Sequence, residues 1–388
     1  MRNLPNRRKW LKTAATLGIG LPLLGQLGCK NPMEKGKEQI KNDPIALKIL
    51  ILGGTSFLGP HQIKYALERG HSVTTFTRGK SEPPIYRDMF KEVESLIGDR
   101  ADNLEALKNR KWDVVIDNSG HNVDWADASA SLLKDTCGMY VFTSSTGVYY
   151  PYLTKGVDED YPVLLEEPDE IPVEAEKLEY WYGVMKANSE RVVRKHFGED
   201  RSLIVRPTYM IGPADKSNRF IYWPLSLAKG GEILVPGKDE DPVQYIDVRE
   251  VTQWTIRLIE KKTSGTFNAA GPATPHNMKL FIEGANQAFS TTKNFIQIPD
   301  YAFLKQNNIH DIVPWIMPEG KNYASALINN EKAVKNGLQF RSITQSLEDT
   351  YAWWNTDEAS AVREKFDDTP DHIYNRQGKI IEKWRKLG

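Results

Sequence analysis

The feature that most limits what this chain can become is an alternation beginning at Leu47: short apolar, β-branched runs bounded by Gly or Asp, each followed by a stretch of helical period. Strands are expected at Leu47–Leu52, Ser72–Thr77, Glu94–Ile97, Asp113–Asp117, Met139–Thr143 and Ser202–Arg206. Helices are expected at His61–Arg69, Asn103–Asn109, Trp125–Lys134 and Trp181–His196. Parallel strands need crossovers, and crossover helices cover both faces of a sheet, so the pattern specifies an α/β fold built on a doubly wound parallel sheet. A ligand then belongs beyond the carboxyl ends of the strands. After Pro213 the alternation gives way to a Trp- and Tyr-rich patch and mainly helical stretches. The expected division is residues 47–213 for the sheet domain and 214–388 for a smaller, substrate-binding C-terminal lobe interleaved with it.

With 40% hydrophobic and 26% charged residues and 2 Cys in 388, the chain is neither collagen-like, disordered, disulfide-built nor a multi-span membrane protein. Acidic and basic residues number 51 each, yet residues 1–28 hold Arg2, Arg7, Arg8, Lys9 and Lys12 and no acid, which leaves a net −5 from Cys29 onward. The uncharged run Thr13 to Gly28 is 16 residues long. That is short of the ~20 apolar residues of a bilayer span, so residues 1–28 are expected to be a signal peptide. Asn6-Arg7-Arg8-Lys9-Trp10-Leu11-Lys12 resembles a twin-arginine export signal, with Trp where Phe is commoner. Leu27-Gly28-Cys29 resembles the end of a lipoprotein cleavage box, although Gln26 departs from its usual apolar residue. The expectation is an exported, periplasmic protein carrying a lipid anchor at Cys29; ordinary cleavage and an uncleaved anchor are the alternatives. Residues 29–46 are polar and without apolar period, a tether. With Cys29 lipidated, Cys137 is the sole thiol and no internal disulfide forms, and no His/Cys/Asp spacing suggests a metal.

The first strand runs into Gly53-Gly54-Thr55-Ser56-Phe57-Leu58-Gly59 and then a helix. Glycines at such a turn let backbone approach a pyrophosphate, and the helix offers unpaired N–H groups and the positive end of its dipole. The turn resembles that of the extended (atypical) short-chain dehydrogenase/reductase family, in its NAD-dependent epimerase/dehydratase-like branch, with Ser56 where the middle glycine stands. The resemblance implies a Rossmann-type fold and NAD(P)(H) as cofactor. Strand two ends Phe76-Thr77-Arg78-Gly79-Lys80 with no acid to grip a ribose 2′-hydroxyl, so Arg78 leans the choice to NADP. By the same resemblance Asp99 contacts the adenine and Asn118-Ser119-Gly120 lines the cofactor.

Tyr182-Gly183-Val184-Met185-Lys186 puts a phenol and an ammonium four apart on one helix face. A phenol of pKa ~10 is a poor base, and a nearby ammonium lowers that value toward working pH. Tyr301 and Lys305 repeat the spacing without a strand end nearby. Val141 to Tyr149 resembles the family's Ser-Ser-x-x-Val-Tyr segment, which implies Ser145 as the hydroxyl that orients the substrate oxygen, with Ser144 adjacent. Arg206-Pro207 through Gly212-Pro213 resembles the segment passing the nicotinamide, Gln244 to Val251 a largely structural signature, and Asn330 to Trp353 the family's last helices. The resemblance thus assigns Ser145, Tyr182 and Lys186 to catalysis. It assigns Gly53, Thr55, Ser56, Phe57, Leu58, Gly59, Arg78, Asp99, Asn118, Ser119, Gly120, Ser144, Tyr182, Lys186 and Pro207 to the cofactor.

Family members mostly act on sugars or sugar nucleotides, and an exported chain meets no evident pool of either free NAD(P)H or nucleotide sugars. The expected function is an oxidoreductase of epimerase or dehydratase type acting on a sugar or glycoside, its tightly bound cofactor recycled in each turnover. Tyr149, Arg219 and Trp223 are candidate carbohydrate contacts, within an aromatic cluster that also holds Tyr150, Tyr152, Tyr180, Trp181 and Tyr222, and His61 and His121 are read as helix-start or packing residues. Residues Lys155 to Glu176, rich in Pro and acid, are expected to be an insertion near the substrate mouth. One branch sharing the Gly-Gly-Thr-x-Phe-x-Gly turn has RNA-binding members, but a net −5 without a basic block argues against a nucleic-acid partner. A non-catalytic protein holding a dinucleotide is the other alternative. The resemblance suggests a homodimer through the helices that carry Tyr182.

Overall fold

The computed structural model describes residues 46–387. The signal peptide, the lipid site at Cys29 and most of the tether lie outside the described residues. In the body, strands β1 (Lys48–Leu52), β2 (Ser72–Thr77), β3 (Glu94–Ile97), β4 (Trp112–Asp117), β5 (Cys137–Thr143) and β6 (Ser202–Pro207) stand where the apolar runs place them. Helices α1 (Leu58–Glu68), α2 (Val123–Leu133) and α3 (Glu174–Phe197) connect them. Asn103–Asn109 forms a short 3-10 turn, Glu105–Leu107, instead of a helix, and α3 begins a full two turns before Trp181. Acidic Glu174 and Glu176 in its first turn complement the helix dipole there.

The sheet has seven strands in the order Gly265–Ala269, β6, β5, β4, β1, β2, β3, every pair parallel. Alternate residues of β1 feed opposite faces, as the period of two requires. Ile49 and Ile51 pack with Ile63 and Ala66 of α1 and with Val251 and Trp254 of the helix Val248–Glu260. Leu50 and Leu52 pack with Ala126 and Ala130 of α2 and Val193 and Phe197 of α3. This is the doubly wound α/β fold. Its seventh strand and the helix before it come from the span assigned to the lobe, so the lobe is interleaved with the sheet domain.

The lobe has its own core of Tyr222, Trp223, Phe281 and Trp315, flanked by a parallel pair, Gly231–Pro236 and Lys293–Ile298. It grips the loop after β2: Trp353 Nε1 donates to the Pro84 carbonyl at 2.9 Å, and the Glu358 carboxylate accepts from the amides of Tyr86 and Arg87 at 3.2 and 2.9 Å. Gln244 joins the Ile328 backbone from both sides of its amide, and Asp247 with Glu250 forms a capping box, the structural role expected of that signature. Cys137 is a buried free thiol. Among the described residues no helix is long and apolar enough to cross a membrane, and no His/Cys/Asp/Glu group is arranged for a metal.

Candidate active site

Two depressions open at the carboxyl ends of the strands. The first, about 280 Å³, runs along the turn after β1 and is lined by Gly53, Thr55 and Ser56 at one end and Arg78, Lys80 and Asp99 at the other. Gly53 has φ +84°, and a Cβ there would stand 2.8 Å from that of Ser119. A Cβ on Gly59 would stand 2.1 Å from the Gly54 carbonyl oxygen, so the turn closes only with glycine at that position. No side chain caps the start of α1, which leaves its first N–H groups for a ligand. Open backbone, a bare helix start and cationic Arg78 and Lys80 together fit a dinucleotide phosphate chain. The side chains of Phe57 and Leu58 pack into neighbouring apolar clusters, and Gly59 is buried behind the turn, so any contact of these residues with a ligand is through the backbone.

Beneath the groove lies an ion pair that sequence reasoning missed. Asp117, at the end of β4 and fully buried, accepts from both Arg100 Nη atoms at 2.7 and 2.8 Å, from the Tyr140 hydroxyl at 2.7 Å and from the Ser119 amide at 3.0 Å. Burial alone would raise its carboxyl, and the Arg100 guanidinium outweighs that and holds it below the usual range. The pair fixes the Ser119 loop against the turn. Asn118 is held by Gln62 and by the Thr143 hydroxyl, at 2.6 and 2.8 Å.

The second depression, a cleft of about 310 Å³, is lined by Ser145, Thr146, Gly147, Tyr152, Glu179, Tyr182, Pro207, Thr208, Tyr209 and Arg219, among others. Ser145, just past the end of β5, accepts from the Gly147 amide at 2.9 Å and lines the cleft together with Tyr182, which α3 brings across. Burial raises the Tyr182 phenol above its ordinary value and the Ser145 hydroxyl opposes the rise. One turn on, the Lys186 ammonium is buried 6.0 Å from the Tyr182 ring centre and donates to the carbonyls of Gly120 and Thr143 at 3.0 and 3.1 Å. The structure therefore brings Ser145, Tyr182 and Lys186 together. Tyr301 and Lys305 are tied elsewhere, to Asp241 and Glu319.

Burial pushes Lys186 down to about 8, with Asp117 and Glu190 opposing. Between pH 8 and the ordinary lysine value near ~10.4 the unfolded chain binds more protons than the folded one, so stability rises with pH across that window. Relative to Lys186→Met, the wild-type chain without cofactor is expected to gain up to about 3 kcal/mol there, read from denaturation midpoints. A difference that does not change with pH would contradict the buried ammonium.

Other assigned residues are engaged differently. Ser144 lines the cleft, but its hydroxyl donates to Glu190 at 2.5 Å, and Glu190 holds Arg206 through two bonds of 2.8 and 2.6 Å, so that hydroxyl is committed to a buried ion pair. Tyr149 is buried, donating to Asn268 Oδ1 at 2.8 Å and accepting from Arg206 at 2.7 Å, and does not line the cleft. Trp223 is fully buried in the lobe core with its indole N–H on the Val313 carbonyl at 3.0 Å, so it contacts no substrate. No residue of Lys155 to Glu176 lines the cleft; Glu159 instead accepts from the Asn268 amide at 2.7 Å. His61 is buried on the Pro213 carbonyl and pushed down to about 4 by burial, a neutral packing residue. His121 lines the first groove. Arg219 and Tyr152 do line the cleft, together with Glu179 and Tyr209, which the sequence reading did not single out as substrate contacts.

A groove along the glycine turn and a cleft lined by Ser145 and Tyr182, both at the carboxyl ends of a parallel sheet, belong to a Rossmann-type fold. The chain belongs to the NAD dependent epimerase/dehydratase family, whose model matches residues 49–270. Its fold is similar to dTDP-glucose 4,6-dehydratase of Bacillus anthracis in complex with NAD (16% identity, 81% of this chain and 98% of that one, TM-score 0.59). It is similar also to UDP-glucuronic acid 4-epimerase of Bacillus cereus in complex with NAD (17%, 81% and 99%, TM-score 0.55). A third similar fold is UDP-glucose 4-epimerase of Bifidobacterium longum in complex with NAD+ and UDP (18%, 80% and 99%, TM-score 0.54). A chloroplast stem-loop binding protein of 41 kDa from Arabidopsis thaliana is 27% identical over 240 residues, and the chain spans 58% of that relative's length.

Proposed function

We propose that this chain is an NAD(P)-dependent oxidoreductase of epimerase or dehydratase type acting on a carbohydrate. The observation that carries the reading is a cleft lined by Ser145 and Tyr182 with the buried Lys186 ammonium 6.0 Å from the Tyr182 ring centre, at the same carboxyl ends of the strands as the groove along the glycine turn. A nicotinamide, when bound, accepts hydride and returns it. Ser145 Oγ hydrogen-bonds the reacting hydroxyl, Tyr182 Oη takes its proton as hydride leaves the same carbon, and the Lys186 ammonium favours the phenolate form that accepts it. Arg78 and Lys80 in a groove with no carboxylate at the end of β2 support NADP over NAD.

The reading includes export by the twin-arginine route, anchoring at Cys29 and a cofactor retained through each turnover. Turnover by protein freshly passed through gel filtration, with no added NAD(P), in which the bound nucleotide is reduced on mixing with substrate and oxidised again once turnover is complete, is the expected result. A requirement for an added pool contradicts retention. A stem-loop-binding role is the second reading, favoured by the 27% identity to the stem-loop binding protein. It predicts that Tyr182→Phe has no functional consequence.

A further inference from the structure

Hydride transfer at Tyr182 gives no part to Glu179, which lines the same cleft. Glu179 stands three residues before Tyr182 on α3 and Lys186 four after it, so the three share one face of the helix. Lys186 is buried at one end of this stripe, and Glu179 is exposed at the other, beside exposed Leu178 at the mouth of the cleft. Glu174 and Glu176 of the same helix are paired with Lys177 and Lys321, whereas Glu179 makes no ion pair among the described residues. It is also the one carboxylate among the described residues lining the cleft. The other polar groups of the wall offer no rival base for a C–H bond. Ser144 is committed to Glu190, and Thr146 Oγ1 donates to the Pro207 carbonyl at 3.4 Å. Burial pushes the Tyr209 phenol up to about 12 and that of Tyr152 well above its ordinary value, so both keep their protons near neutral pH. A carboxyl of ordinary pKa ~4.3 is ionised there.

We propose that Glu179 is a second acid–base group, which takes a proton from the carbon next to the oxidised one and hands it to a departing hydroxyl, making the reaction a dehydration. The proposal rests on the hydride-transfer reading. Oxidation turns the carbinol into a ketone, its oxygen held by Ser145 and the protonated Tyr182, and the ketone acidifies the neighbouring C–H. The Glu179 carboxylate takes that proton and the C–H electron pair passes into an enolate. When the ketone re-forms, the pair becomes a carbon–carbon double bond and the C–O bond one carbon further breaks. The oxygen leaves as water with the proton held by Glu179. Return of the hydride to the far carbon of the double bond, and of a solvent proton through exposed Glu179 to the near one, completes the turnover with no outside oxidant or reductant. A single carboxylate on one wall suits this course, in which one group both takes and gives the proton. Inversion at the acidified carbon needs a second proton donor on the opposite face.

The test uses the purified protein with NAD or NADP in deuterated water, and UDP-glucose, dTDP-glucose, UDP-glucuronic acid and methyl glucoside as probes. Nicotinamide reduction on mixing is followed by absorbance and the products by mass. For at least one probe the expected product is lighter by one water and carries one carbon-bound deuterium. Glu179→Gln is expected to lower the ratio of elimination to nicotinamide reduction by about 10²–10⁴-fold, and Glu179→Asp to restore part of it. A product isomeric with the probe, a product without deuterium, or an unchanged ratio in Glu179→Gln overturns the inference and leaves the hydride-transfer reading standing. No nicotinamide reduction by any probe overturns that reading and the inference with it.

Discussion

Replacing Tyr182 with Phe lowers the rate of substrate oxidation by about 10²–10⁴-fold, the worth of a positioned acid–base group, while the fold and dinucleotide affinity stay near wild type. The split follows from where the phenol sits. Its ring edge packs against Gly147, where a Cβ would come within 2.9 Å of Cε1, and Phe preserves that packing. Tyr182 lines the cleft beside Ser145, and removal of its hydroxyl leaves Ser145 still satisfied by the Gly147 amide. The variant therefore loses the proton acceptor and little else. Parallel measurements of nicotinamide reduction, Tm and NAD(P) titration separate the outcomes: an unchanged rate would mean that Tyr182 is not the base, and a collapsed Tm would mean that its role is packing.

The largest expected loss of stability comes from Arg100→Leu, about 3–5 kcal/mol by denaturant unfolding. Among the described residues the guanidinium is the only cation bonded to Asp117, a carboxylate with no solvent exposure at all, and removing it strands that charge under the first groove. Replacing both partners, Arg100→Leu with Asp117→Asn, is expected to cost clearly less than Arg100→Leu alone, because no buried charge remains and an amide oxygen can still accept from Tyr140 and Ser119. A double variant no more stable than the single would contradict this view of the pair. The Ser119 loop also bounds the groove, so Arg100→Leu is expected to weaken dinucleotide binding as well.

The central six strands were legible in the sequence because each is an apolar run long enough to show its limits. The seventh was not: in Gly265–Ala269 only Phe267 and Ala269 reach the apolar core, and Asn268 is buried to hold Tyr149 and the Asn329 carbonyl. A five-residue edge strand with a buried polar residue carries no clear period. The Ser145, Tyr182 and Lys186 cluster was legible from spacing plus order along the chain, while the same spacing at Tyr301 and Lys305 meant nothing. Substrate-facing aromatics were misjudged at Tyr149 and Trp223, since closeness to a motif in sequence does not say which way a side chain points. Glu179 was accessible to the same helical rule that paired Tyr182 with Lys186, as it stands three residues before Tyr182 on α3 and reaches the same cleft. The Arg100–Asp117 pair joins the ends of two strands, and a single sequence holds no local signal for it.

The most direct test of the account is to denature the purified protein and identify any dinucleotide released, by absorbance and mass. The account predicts NAD(H) or NADP(H) in near-stoichiometric amount, surviving gel filtration before denaturation. A protein that releases none and also fails to bind NAD or NADP on titration would contradict the enzyme reading and leave the groove without its proposed occupant.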